Sequence, residues 1–148
     1  MKVKIKQVYK FKELSFLPTY STSGSAGMDL YAAIANSIII KPHETAIIPT
    51  GIAISLPHGY EAQVRSRSGL ASKFSVIVLN SPGTIDSDYR GEVKVIMINL
   101  GQNEFQVTPA MRIAQMIITK YEVISWKLVD DLDETERGEK GFGSSGWK

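Results

Sequence analysis

Apolar residues in this chain come in short β-branched runs, each closed within a few positions by glycine, proline or polar turn residues, and no helical period persists long enough for a helix of ordinary length. Runs at 37–40, 45–48 and 51–56 are separated by Lys41-Pro42-His43-Glu44 and by Pro49-Thr50. Tyr60-Glu61-Ala62-Gln63-Val64-Arg65 alternates with the period of a half-buried strand. The segment 92–100 begins the same way, with Val93, Val95 and Met97 on one side and Glu92 and Lys94 on the other. Its second half, Val95-Ile96-Met97-Ile98, is apolar on both faces and needs cover twice over, from the core or from another subunit. Gly101-Gln102-Asn103 turns the chain toward Phe105-Gln106-Val107, and 112–121 forms one more apolar strand. The alternating Met1-Lys2-Val3-Lys4-Ile5-Lys6 reads as the first strand, and the one helical piece, at 69–74, is short. The pattern predicts an all-β, jelly-roll-like sandwich or barrel with one short helix.

At 148 residues the chain is expected to form a single domain, long enough to remove about two thirds of its unfolded surface from water without a staple. There is no internal repeat and no domain boundary, but composition changes after Lys127, which divides a β core at 1–127 from an arm at 128–148. The absence of cysteine removes disulfides, thiolate metal sites and a cysteine nucleophile, and fits a reducing compartment. The first residues have no long apolar core, so they read as neither a signal peptide nor a membrane anchor, and a cytoplasmic location is expected. A formal net charge of +2, with scattered Lys and Arg, points away from nucleic-acid polymer and toward a small anion. His43 and His58 each follow a proline, which disfavours a histidine metal cluster or a Ser-His-Asp triad.

The densest chemistry lies at 80–92, Asn-Ser-Pro-Gly-Thr-Ile-Asp-Ser-Asp-Tyr-Arg-Gly-Glu. Pro82-Gly83 and Gly91 are turn signals, so a short hairpin arm is expected between them. Its Asp86-Ser87-Asp88 suits metal ligation, general base catalysis or a turn in which carboxylates bond the chain's own amides. The calcium-loop reading fails, because Arg90 and Met97 stand where an oxygen ligand and a bidentate Glu are needed. Asp29, set among apolar neighbours, is either a core acid bonded to amides or the floor of a site. Arg65-Ser66-Arg67-Ser68-Gly69-Leu70 offers an anion charged donors, hydroxyls and amides, or is a solvated strand end. The tail 137–146 is too Gly-rich to hold a fold alone and carries the parts of a lid over a nucleotide, unless it is a disordered terminus. It is not a Walker A loop, since Ser144 replaces the lysine and no strand and helix frame it.

Together these segments resemble the homotrimeric dUTPase family over almost the whole chain. Ala-Gly-Met-Asp-Leu at 26–30 is similar to the family's first motif, Arg-Ser-Gly-Leu-Ala at 67–71 to its second and residues 80–92 to its third. Arg-Ile-Ala-Gln at 112–115 resembles the fourth, and Arg137-Gly138 with 141–146 the fifth. Each alone is a weak signal; five in this order are highly specific. The resemblance implies a jelly-roll trimer whose active sites each draw on three subunits, hydrolysing dUTP to dUMP and pyrophosphate with Mg²⁺. Such a reaction limits uracil incorporation into DNA and supplies dUMP for thymidylate synthesis.

By that resemblance Asp86 orients and deprotonates the water that attacks the α-phosphorus. A carboxylate of ordinary pKa, about 4, is ionised at neutral pH and can take that proton. Asn80 is expected to read the uracil edge, with Thr84 and Ile85 adding substrate contacts from the arm, and Tyr89 to pack on the sugar and exclude a ribose 2′-hydroxyl. Arg67, Ser68, Gly69 and Gln115 fall to the phosphates, Lys94 to a further substrate contact, and Asp29 to a support near the phosphates and metal waters. In the tail, Phe142 is expected to stack over uracil while Arg137, Gly143, Ser144 and Ser145 hold the β- and γ-phosphates. No direct protein ligand to the metal is required, because Mg²⁺ keeps several waters.

Two departures from the family pattern stand out. Ser66 replaces a common proline and is expected to loosen the start of the second motif, and Lys140, where glycine is common, must avoid positive φ. The alternatives are a dCTP deaminase on the same fold and a catalytically silent nucleotide-binding protein. The first is disfavoured because Val95, Ile96 and Met97 occupy the strand interior where a catalytic Glu is expected, and Glu92 comes too early. The second is disfavoured by an intact Asp86.

Overall fold

The computed structural model describes residues 1–9 and 17–141. Twelve strands and one helix follow one another as β1 (Lys4–Gln7), β2 (Thr19–Tyr20), β3 (Met28–Tyr31), β4 (Ile38–Ile40), β5 (Thr45–Pro49), β6 (Ile52–Ser55), β7 (Tyr60–Arg65), α1 (Ser68–Phe74), β8 (Val76–Val78), β9 (Gly83–Ile85), β10 (Lys94–Asn99), β11 (Phe105–Val107) and β12 (Arg112–Lys120). Every pairing among the described residues is antiparallel. The largest sheet runs β2-β3-β12-β7-β9, a second runs β5-β10-β8, and β1-β6 and β11-β4 form ribbons. This is the all-β architecture that the short apolar runs predict.

The two larger sheets close on a single core. Leu30, Ala62, Val64, Ala114 and Met116 come from one, and Ile48, Val76, Val78, Val95 and Met97 from the other, all in one buried cluster. In β10 the alternation places Val95 and Met97 inside while Ile96 and Ile98 are only half-buried. The described residues therefore cover the double-sided apolar stretch fully on one face and only in part on the other. Opposite Ile96 in the register stands Ile47, which is 62% exposed.

β12 breaks its alternation once. Its register shifts between Arg112 and Ala114, so that Ile113 and Ala114 are both buried in succession while Arg112 and Gln115 stay on the outer face. A regular strand would have set Arg112 in phase with Ala114 and Met116, inside the core. The helix α1 begins after Arg67, whose backbone is extended, and stops at Ser75, which takes the left-handed conformation at φ 55°. That cap was not legible in the sequence, because serine rarely adopts it.

Among the described residues two polar side chains are fully buried, and both bind backbone. The Thr50 hydroxyl donates to the Val93 carbonyl. The Asn99 amide donates to the Ile40 and Asn103 carbonyls at 2.9 and 2.8 Å and accepts from the Gly101 N–H at 2.9 Å. Asn99 thus ties β4 and the turn after β10 to the core. Beyond Lys120 the described chain, 121–141, has no strand or helix, and Trp126 and Leu128 are 91% and 98% exposed.

Replacing Asn99 by alanine removes three hydrogen bonds at once, leaving the buried Ile40 carbonyl and the partly buried Asn103 carbonyl and Gly101 N–H without their partner. The expected loss is about 2 to 4 kcal/mol, read as a lowered urea midpoint with unchanged far-UV dichroism. A shift below about 0.5 kcal/mol would show that the turn re-pairs without it.

Candidate active site

The outer face of the β3-β12-β7 strip carries a cluster of charge. Leu30 points into the core, so its neighbour Asp29 points out, and the register sets Asp29 beside Gln115 and Gln115 beside Arg65. Both oxygens of the Asp29 carboxylate are engaged. Arg67 Nε lies 3.0 Å from Oδ1 and Arg112 Nη1 3.2 Å from Oδ2, with the Asp29 side chain only 11% exposed. Ser21 adds a hydroxyl donor at 3.3 Å, and Arg67 Nη1 donates to the Arg112 carbonyl at 3.0 Å. Two guanidinium groups on one carboxylate leave net positive charge and spare N–H donors facing solvent, a chemistry that suits an anion.

Ser68 and Gly69, in the first turn of α1, add amides whose acceptors the helix itself does not supply. Gln115 donates from Nε2 to the Ser66 carbonyl at 3.0 Å. It can lie there because Gly27 has no side chain: a Cβ at that position would stand 2.4 Å from Gln115 Oε1. The looseness expected from Ser66 is opposed by its own hydroxyl, which accepts the Val78 N–H at 2.9 Å and ties the end of β7 to β8. Proline fixes φ at such a position; serine instead supplies a tether.

The segment 80–92 is not the hairpin that its turn signals predict. Gly83–Ile85 forms β9, which pairs with β7 through Gly83–Val64, Thr84–Gln63 and Ile85–Ala62, while β10 joins the other sheet. The residues between cross from one sheet to the other, and side chains clasp them. The Tyr89 N–H donates to the Asp86 carbonyl at 3.2 Å, and Arg90 Nη1 donates to the Ser87 and Tyr89 carbonyls at 2.6 and 2.9 Å. The Tyr89 hydroxyl reaches the Glu92 carbonyl at 3.0 Å. The Glu92 carboxylate anchors the far end, accepting the Gly51 N–H at 2.9 Å and the Tyr9 hydroxyl at 3.2 Å, with Lys94 Nζ at 4.0 Å. The charge of Glu92 beside it, and then the hydrogen bond, raise the Tyr9 phenol above its ordinary value of 10.0. Within this clasp Asp86, Tyr89 and Asn80 are exposed, and the Asp86 carboxylate has no hydrogen bond or ion pair among the described residues.

Only the start of β9 shares an end of the large sheet with the arginine cluster, since Gly83 faces Val64 one residue before Arg65; Ile85 faces Ala62, so Asp86 and the clasped residues after it leave toward the other end of β7. Other expected site residues are not brought there. Arg137 lies in the exposed arm and donates from Nε to the Lys140 carbonyl at 2.9 Å. Gly138 supplies the positive φ of that turn, at 55°, and Lys140 is not among the residues with positive φ. Lys94 opens β10 opposite Pro49. Phe142, Gly143, Ser144 and Ser145 lie outside the described residues. Among the described residues no group of three or more His, Asp or Glu could hold a metal ion.

Sequence reasoning assigned no role to Arg112, to Tyr9 or to the close approach at Gly91. Arg112 opened a recognised motif, but its contact with Asp29 depends on the bulge, which no period in the sequence announces.

Comparison with known proteins bears on the same regions. A family model described as dUTPase matches residues 15–146. A protein of Orientia tsutsugamushi (strain Ikeda) named deoxyuridine 5'-triphosphate nucleotidohydrolase is 82% identical over 148 residues, covering 100% of both chains. One of the same name in Rickettsia bellii is 58% identical over 144 residues, 97% of this chain and 95% of its own. Among solved structures, a dUTPase variant of Staphylococcus bacteriophage 80alpha with dUpNHpp superposes at a TM-score of 0.86 with 26% identity, over 98% of each chain.

Glu92→Gln removes the charge that opposes formation of the Tyr9 phenolate. The Tyr9 titration, isolated as the absorbance difference between the parent and Tyr9→Phe, is expected to fall back toward 10.0 in that variant. An unchanged midpoint would assign the shift to another neighbour.

Proposed function

The chain belongs to the dUTPase family, and we propose that its hydrolysis of dUTP to dUMP and pyrophosphate proceeds by attack of an Asp86-activated water on the α-phosphorus. That it is a dUTP diphosphatase rests on 82% and 80% identity, over the full chain, to proteins named deoxyuridine 5'-triphosphate nucleotidohydrolase. The observation that carries the mechanism is the position of Asp86: a carboxylate exposed on a clasped loop, with no partner among the described residues to occupy it. A water held against it gives up a proton to the carboxylate as its oxygen bonds to phosphorus. The bond from the α-phosphorus to the bridging oxygen breaks, and pyrophosphate leaves with those electrons.

The remaining residues position and select. Arg67, Ser68, Gly69 and Gln115 grip the phosphates, with Asp29 and Arg112 holding Arg67 in place. Asn80 reads the uracil edge with the help of Thr84 and Ile85, Tyr89 lies on the sugar, and Lys94 makes a further substrate contact. Phe142 stacks on the base, and Arg137, Gly143, Ser144 and Ser145 close over the outer phosphates. Residues 1–127 act as the core and 128–148 as that closing arm.

Mg²⁺ fits this donor set as a substrate-borne ion. The carboxylate nearest the phosphate grip, Asp29, has both oxygens committed to arginines, which leaves phosphate oxygens and water as the ligands that Mg²⁺ favours. Bound there, it would neutralise phosphate charge and align the oxygens.

A homotrimer with shared sites is supported by apolar surface that this chain leaves uncovered: Ile47 on the outer face of β5-β10-β8, and Trp126, Leu128 and Leu132 on the arm. It would also let an arm carrying Arg137 reach a neighbour's arginine cluster. In the cell, the cytoplasm by this reading, the reaction limits uracil incorporation and supplies dUMP. A deaminase reading finds no support in β10, where Val95 and Met97 are buried and no Glu lies in the strand.

With Mg²⁺, turnover of dUTP should far exceed that of dTTP, dCTP and UTP, and hydrolysis in ¹⁸O-water should label dUMP alone. Orthophosphate as first product, ammonia from dCTP, or label in pyrophosphate would each exclude the mechanism. Asp86→Asn should lower kcat by a factor of about 100 or more while the protein stays folded and binds dUTP. Removing the residues after Glu136 should leave a folded protein with poor catalysis, and an unchanged rate would show the arm to be dispensable.

A further inference from the structure

We propose that Gly91 is a specificity-determining residue for the sugar, acting by leaving room for the ring of Tyr89. The inference rests on the reading of Tyr89 as the group that lies on the deoxyribose.

The ring of Tyr89 folds back over its own loop so that its hydroxyl meets the Glu92 carbonyl at 3.0 Å. On that path it crosses Gly91. A Cβ at Gly91 would stand 2.3 Å from Oη, 2.5 Å from Cζ and 2.9 Å from Cε2 of Tyr89, all closer than side-chain atoms pack. The chain itself does not ask for glycine here. Positive φ occurs at Gly51, Gly59 and Gly138 and not at Gly91, so alanine meets no backbone obstacle. What excludes a larger residue is the phenol.

The same geometry says how the clash would be relieved. The three nearest atoms all belong to the far end of the Tyr89 side chain, which is 43% exposed, so rotation of the ring costs less than movement of the loop. The loop has its own restraints in the bonds of Arg90 to the Ser87 and Tyr89 carbonyls and of Glu92 to Gly51. A methyl group at 91 therefore displaces the ring while Asp86 and the base-reading segment that begins at Asn80 stay in place. Space opens where the 2′-hydroxyl of a ribonucleotide would lie, and selection by steric exclusion weakens at the sugar alone.

The test compares kcat/KM for dUTP, UTP and dTTP in the parent, Gly91→Ala, Tyr89→Ala and the double variant. In Gly91→Ala the UTP-to-dUTP ratio should rise about tenfold or more while the dTTP-to-dUTP ratio stays within about twofold, a split that general loosening of the pocket would not produce. The double variant should show no more relaxation than Tyr89→Ala, because both act through one ring. If Tyr89→Ala relaxes sugar selection and Gly91→Ala does not, the role of Gly91 is wrong and the Tyr89 reading stands. If neither variant changes the ratio, the Tyr89 reading fails and takes this one with it. Should Gly91→Ala not fold, Tyr89→Ala/Gly91→Ala must fold, since it removes the clash; a double variant that also fails to fold overturns the proposal.

Discussion

The carboxylate of Asp29 is the contact on which the candidate active site turns. One side chain from β3 holds Arg67, at the junction of β7 and α1, and Arg112, at the start of β12. Two positive groups so close would repel in its absence, and each would lose its orientation. Ion pairs of this kind contribute little to stability when exposed, and the two arginines here are partly so. Their value is geometric. The fold places three chain ends side by side, and the shared acid turns that adjacency into donors aimed in one direction.

The loop 80–92 solves a different problem. Beyond the three pairs that β9 makes with β7, it crosses between sheets without a ladder, yet it holds an exposed acid and a flat ring in fixed relation. It does so with short bonds inside itself and one anchor outside, Glu92 on Gly51. Asp86 is thereby left uncommitted on a backbone that is not.

Much of this was legible in the residues, and the failures share a cause. Strict alternation located β7, and punctuated apolar runs located most strands of the core within one or two positions. β2, β3 and β9 escaped because they are short and carry no independent signal, and partners across the sheet make them strands; β8, Val76-Ile77-Val78, carried the β-branched signal but stands directly behind the helix. The expected hairpin failed for the same reason, since turn residues say where a chain bends and not which strand it then joins. In the site, acids and arginines announced themselves by type. The pairing of Arg112 with Asp29 depended on a bulge, and the seats of Gln115 and Tyr89 on the small volume of glycines at 27 and 91, which act through space and not through sequence spacing.

The bulge at Ile113 has a consequence for how this surface can change. Because the extra residue faces inward beside Ala114, volume in the core and charge on the outer face are set by separate positions of one strand. The interior can be repacked, layer by layer, without rotating the guanidinium of Arg112 away from Asp29. Sequence drift inside and chemical constancy outside are thus compatible in the same strand, and the single irregularity in β12 is what uncouples them.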